Sequence, residues 1–132
     1  MSNMTASLLA GCLLLGGAAG VAHAALTEDE FQLRNTGDFV ALCTAASDDR
    51  LMTAAANFCQ GFAVGVYRTL QDEQAAMRTR LFCPPQQTPS RTEAIAHFAQ
   101  WVQARPSLMQ GRAEDSILAY LQDRFPCATN RR

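Results

Sequence analysis

The sequence predicts an all-α chain, a small domain of four to five helices closed by two disulfides, and three observations predict it. Apolar residues recur at helical spacing in four separate stretches, and none sustains the period-two alternation of a half-buried strand. Serine-led capping signatures and proline stops punctuate those stretches. Four widely spaced cysteines, Cys43, Cys59, Cys83 and Cys127, form an even set in a chain whose 132 residues suit one domain.

The N-terminal stretch stands apart. Met1 to Ala25 contains no charged side chain, although the chain carries 11 basic and 12 acidic residues. Its centre, Leu8 to Val21, is apolar, and it ends in Ala22-His23-Ala24, the small-x-small pattern that signal peptidase accepts. The run is shorter than the roughly 20 residues a membrane-spanning helix needs. It reads as a leader over residues 1–24, cleaved after Ala24, leaving a periplasmic chain of residues 25–132 without a membrane segment. Leu9-Ala10-Gly11-Cys12 has the shape of a lipoprotein processing box, so cleavage ahead of Cys12 is the minor alternative. The apolar run continues past Cys12, which favours Ala24.

All the cations are arginines, and the net charge of −1 argues against nucleic acid, because neutralising phosphates needs a basic surplus. The absence of lysine removes Schiff-base chemistry.

Leu26 to Asn35 reads as a polar arm. Asn35 or Thr36 caps a short helix from about Gly37 to Thr44, with Phe39, Val40 and Cys43 at helical spacing. Ser47-Asp48-Asp49 makes a turn that places acidic groups at the start of the next helix. That second helix, about Arg50 to Arg80, is the longest, with an apolar stripe of Leu51, Ala55, Phe58, Phe62, Val66 and Leu70. Cys83-Pro84-Pro85 stops it. Ser90-Arg91-Thr92-Glu93 is a capping box opening a third helix that buries Ile95, Phe98, Trp101 and Val102 and ends at Pro106. Ser107-Leu108-Met109-Gln110 is a second box, opening a fourth helix to about Arg124 with Leu108, Ile117, Leu118, Leu121 and Phe125 inward.

Removing the leader discards Cys12 and leaves four cysteines, an even number that in a small exported chain reads as a disulfide framework. Zinc is the competitor, but no two of the four are closer than sixteen positions, unlike paired zinc ligands. Helices joined by short turns run antiparallel. That puts Cys43 beside Cys59 at the first turn and brings Cys127 back to Cys83 at the far end of the second helix. The expected pairs are Cys43–Cys59 and Cys83–Cys127.

Little in the chain points to chemistry. His97 is the single histidine beyond the leader, and no serine or free thiol has a histidine and acid to activate it. The acid pairs Asp48-Asp49, Asp72-Glu73 and Glu114-Asp115 are adjacent in sequence, so on a helix they diverge. No catalytic residue, metal ligand set or cofactor motif is expected, and the chain is not read as an enzyme. Gly61 and Gly65, four apart in the longest helix, each cost roughly 1 kcal/mol relative to alanine. Close packing of another helix explains them most simply. A self-association seam, such as a homodimer helix, is the sharper reading.

Taken in order, the landmarks are Phe39-Val40-Ala41-Leu42-Cys43, Cys59-Gln60-Gly61-Phe62 with Gly65, Cys83-Pro84-Pro85, Ala104-Arg105-Pro106 and Arg124-Phe125-Pro126-Cys127. From about Thr36 to Cys127 this arrangement resembles the Rap/Tai family of periplasmic immunity proteins, which protect bacteria from type VI secretion amidase toxins. Phe62 stands where the family more often has tyrosine. The resemblance implies a helical, often dimeric protein that binds a peptidoglycan amidase and blocks its catalytic cleft. The cysteines and glycines carried over are scaffold positions. The polar segments Ser47-Asp48-Asp49-Arg50 and Gln71-Asp72-Glu73 are the candidates for reaching a partner. A general periplasmic stress or chaperone-like module of unknown partner is the alternative function.

Overall fold

The computed structural model describes residues 24–128, and among them every regular element is helical. In order these are α1 (Thr36–Cys43), α2 (Met52–Met77), α3 (Arg91–Gln103) and α4 (Ala113–Arg124), with 3-10 turns at Glu28–Gln32 and Pro106–Leu108. The expected leader, Cys12 included, lies outside the described residues apart from Ala24 itself. No described helix is long and apolar enough to cross a membrane.

The shortest helix is the hub. α1 packs against each of the other three helices and the Glu28–Gln32 turn. Its Phe39, Val40 and Leu42 are almost wholly buried. Phe39 and Val40 join Phe82, Phe98, Val102, Ile117, Tyr120 and Leu121 in the main core, and Leu42 joins Leu26 and Ala55 in a smaller one. Asn35 caps α1 through its side chain, accepting from the Asp38 N–H at 3.0 Å. The first amides of any helix lack internal partners. Here Thr36 N–H donates to the Gly111 carbonyl at 2.7 Å and Gly37 N–H to the Met109 carbonyl at 3.0 Å. Buried Thr36 also places its hydroxyl 3.0 Å from the Gly111 carbonyl and 2.8 Å from the Ser116 hydroxyl. A Cβ at Gly37 would sit 2.9 Å from Asn35 Oδ1, so a side chain there would push against the cap.

Three expected elements differ. Leu26–Asn35 is not a bare arm: Thr27 and Glu30 form a capping box around the 3-10 turn, and Leu26 is buried. Leu26 N–H donates to Asp49 Oδ2 at 2.7 Å, and the Phe31 ring meets Phe58 edge-on with centroids 5.5 Å apart. The apolar residues of this polar stretch are too sparse to show helical periodicity, yet they suffice to pin it. The Ser107 box opens no helix. Pro106–Leu108 is a 3-10 turn, and α4 starts at Ala113 behind Arg112, which makes no side-chain cap. A helix begun at Ser107 would need the Met109 and Gly111 carbonyls for its own amides four residues on. The amides of α1 occupy them instead.

α2 also stops short of Arg80. Arg78 takes the left-handed conformation at φ 54°, and Gln74 Oε1 accepts from the Leu81 and Phe82 N–H groups at 2.6 and 2.8 Å. This folds the chain back and drives Phe82 into the core. The disulfides pair as expected, Cys43–Cys59 and Cys83–Cys127, with Cα separations of 5.2 and 4.9 Å. In the loop-entropy model they contribute roughly 3 and 4 kcal/mol.

Candidate binding groove

A groove opens between α2, α3, α4 and the linker that follows Cys83. Ala63, Val64 and Tyr67 of α2 form one wall, Ala94 and Ile95 of α3 another, and Pro84, Thr88 and Pro89 a third. Aromatic rings make its floor, where Phe98 lies against both Phe39 and Tyr120 with centroids 5.7 and 5.6 Å apart. Burial raises the Tyr120 phenol above its ordinary value, so the floor carries no charge at neutral pH. Among the described residues, Arg91 is the single charged one in the lining.

The linker wall is held by position, not by regular structure. Three prolines between Cys83 and Ser90 deny it amide donors. Its start is fixed by the disulfide to Cys127 and by the Cys83 N–H, which donates to the Phe125 carbonyl at 2.8 Å. Its end is fixed by the expected capping box, in which Ser90 and Glu93 bond reciprocally. The Ser90 hydroxyl and amide hold Glu93 below the usual carboxylate range. The groove measures about 270 Å³. That is at the lower edge of the roughly 300–1,000 Å³ of small-molecule sites and has few polar groups to orient a ligand, so it suits one or two apolar side chains of a protein.

The sequence-derived candidates fall at opposite ends of α2, some 30 Å apart at 1.5 Å per residue, so they form no single patch. In the first, Ser47, Asp48 and Arg50 are exposed, whereas Asp49 works within the fold. Its carboxylate accepts from the Leu26 and Leu51 amides, and those two bonds pull its pKa below the ordinary aspartate value. In the second, Gln71, Asp72 and Glu73 are exposed, and Gln71 Nε2 donates to the Tyr67 hydroxyl at 3.2 Å, beside the groove. Gly61 and Gly65 both lie on the exposed face of α2, and among the described residues nothing comes within 4 Å of a Cβ built at either. Close packing among the described residues therefore does not explain them.

His97 is exposed on α3. Among the described residues no group of three or more His, Cys, Asp or Glu could hold a metal ion.

A family model for Rap1a immunity proteins matches residues 35–127, more than half of the chain, from the cap of α1 to the last disulfide cysteine. The chain belongs to the Rap1a immunity protein family. Neither the curated proteins nor the solved structures yield a match. Membership in a Rap1a immunity family implies a protein partner, a secreted effector, and a role carried by binding, since such families are generally non-enzymatic.

The groove is what reading the sequence missed. Ile95 and Phe125 fall in stripes that the sequence predicts to be buried and Val64 falls in none, because periodicity reports which residues share a face but not whether that face is fully covered. The one available signal was the proline-rich linker, whose missing amides forbid a helix over the gap.

Proposed function

We propose that this Rap1a-family protein is an exported immunity protein that binds a secreted peptidoglycan amidase and occludes its catalytic cleft. In this reading residues 1–24 are the leader, cleaved after Ala24, and residues 25–132 act in the periplasm. Two disulfides favour an oxidising compartment. The observation that carries the reading is the family match, joined to a groove that is already formed in the unbound chain. A preformed surface spends little free energy on ordering when it binds. The groove and the adjacent Gln71-Asp72-Glu73 edge make the preferred contact surface, and the polar Ser47-Asp48-Arg50 turn a second edge. The uncovered Gly61–Gly65 face is the proposed seam of a homodimer, because two backbones could approach there without a side chain between them.

The test is inhibition of a candidate amidase on purified peptidoglycan by the mature protein. The expected result is stoichiometric inhibition, lost in Ile95→Arg and Val64→Arg variants that keep the wild-type melting profile. An amidase fully active in the presence of excess protein would overturn the amidase reading. Broad, weak retention of unrelated unfolded proteins would favour the chaperone-like alternative, for which the apolar lining of the groove is the supporting observation.

A further inference from the structure

The two disulfides differ in what each sulfur would become if its bond were opened. A thiol opens a disulfide when its thiolate attacks one sulfur and the other leaves as a thiolate, faster when the leaving thiolate is stabilised. Cys59 is 2% exposed among apolar side chains. Attack on Cys43 would expel a thiolate into that core, and attack on Cys59 is blocked by burial. The first bridge is closed in both directions.

The second bridge is not. Cys83 and Cys127 are both partly exposed, in non-helical segments. The Arg80 guanidinium lies against Cys83, with Nη1 3.8 Å from Sγ. Among the described residues no other disulfide sulfur takes a hydrogen bond from a charged group. A neighbouring arginine stabilises a thiolate. Cys83 is also anchored independently of its bridge, by its own N–H on the Phe125 carbonyl and by Gln74 holding the two amides before it. Cys127 lies in the irregular segment beyond α4.

We propose that Cys83–Cys127 is a directional thiol-exchange site for a small-molecule thiol. The incoming thiolate forms a bond to Cys127 Sγ, the Sγ–Sγ bond breaks, and its electron pair leaves on Cys83 as a thiolate beside Arg80. The product is a mixed disulfide on Cys127 and a free Cys83, with no net change in the number of disulfides. A second thiolate attacking the adduct completes the reduction, and return of the Cys83 thiolate to Cys127 reverses it.

The experiment uses the oxidised protein, intact and native, with reduced glutathione as the probe, followed by acid quench, alkylation and tryptic mapping. The arginines put the four cysteines on separate peptides, with Cys83 in residues 81–91 and Cys127 in residues 125–131. The expected first products are glutathione on 125–131 and alkylated Cys83 on 81–91, while Cys43 and Cys59 remain joined. Arg80 is exposed, so Arg80→Gln should keep the fold and slow this opening roughly threefold or more, with Arg80→Lys restoring much of the rate. Glutathione found first on Cys83, earlier opening of Cys43–Cys59, or an unchanged rate in folded Arg80→Gln would each overturn the proposal.

Discussion

The two ends of α2 solve the same problem differently. At its N-terminal end, Cys43–Cys59 ties helix to helix with Cys59 buried in the main core, and Leu26, Leu42 and Ala55 build a second cluster there, with Asp49 drawing the N-terminal segment down. At its C-terminal end, Cys83–Cys127 ties a linker to a tail, and the space beside it stays open as the groove. A disulfide that seals a core and one that holds a wall upright look alike in the sequence. Which role each plays depends on whether apolar side chains arrive to cover it, and only one end has them to spare.

The largest expected contrast is in truncation of the apolar residues at each end. Leu42→Ala at the closed end should cost about 2–5 kcal/mol, and Ile95→Ala at the groove no more than about 1 kcal/mol, both measured by urea unfolding. Equal costs would mean that the groove is filled in solution and that the contrast between the ends is false. Next come the bridges themselves. Removing Cys83–Cys127 by double serine substitution should lower stability by roughly 4 kcal/mol and removing Cys43–Cys59 by roughly 3 kcal/mol if chain entropy alone acts. Burial of Cys59 adds a penalty at the closed end, so a reversal of that order would measure how much the cover matters.

Glycine substitutions sharpen the same contrast on a smaller scale. Gly37→Ala, at the crowded cap of α1, should destabilise by about 1 kcal/mol through disturbance of Asn35. Gly61→Ala and Gly65→Ala should each stabilise an isolated chain by about 1 kcal/mol, and loss of dimer in sedimentation would reveal the seam instead. The smallest effect is in acid. Asp49, Glu30 and Glu93 have folded pKa values lowered by amide and hydroxyl donors. Their contribution is therefore present above the unfolded carboxylate values of about 3.9 to 4.3 and is lost as pH falls through the folded ones. The melting temperature should decline below about pH 4, and less steeply in Asp49→Asn, whose amide does not titrate.

Much of the fold was legible because it is local. Helical spacing, the Asn35 cap and the Ser90–Glu93 box each involve residues a few positions apart, and the disulfide pairing followed from counting helix reversals. What escaped depends on contacts across long separations. The Ser107 box satisfies every local requirement for a helix start, and loses because the carbonyls it needs are taken by α1, more than seventy residues upstream. The role of Asp49 was half visible: its bond to Leu51 is local, whereas its bond to Leu26 spans 23 residues. The groove was invisible for a different reason, since it is defined by an uncovered area and no residue type marks that.

The bonds from Thr36 and Gly37 to the turn before α4 set the order in which this protein can be made. An eight-residue helix has almost no independent stability in water, and α1 finds its anchoring acceptors only once Gly111 has followed it along the chain. No N-terminal fragment ending before α4 can therefore hold the hub in place. A chain that stops short of that point leaves α1 without the acceptors for its first amides.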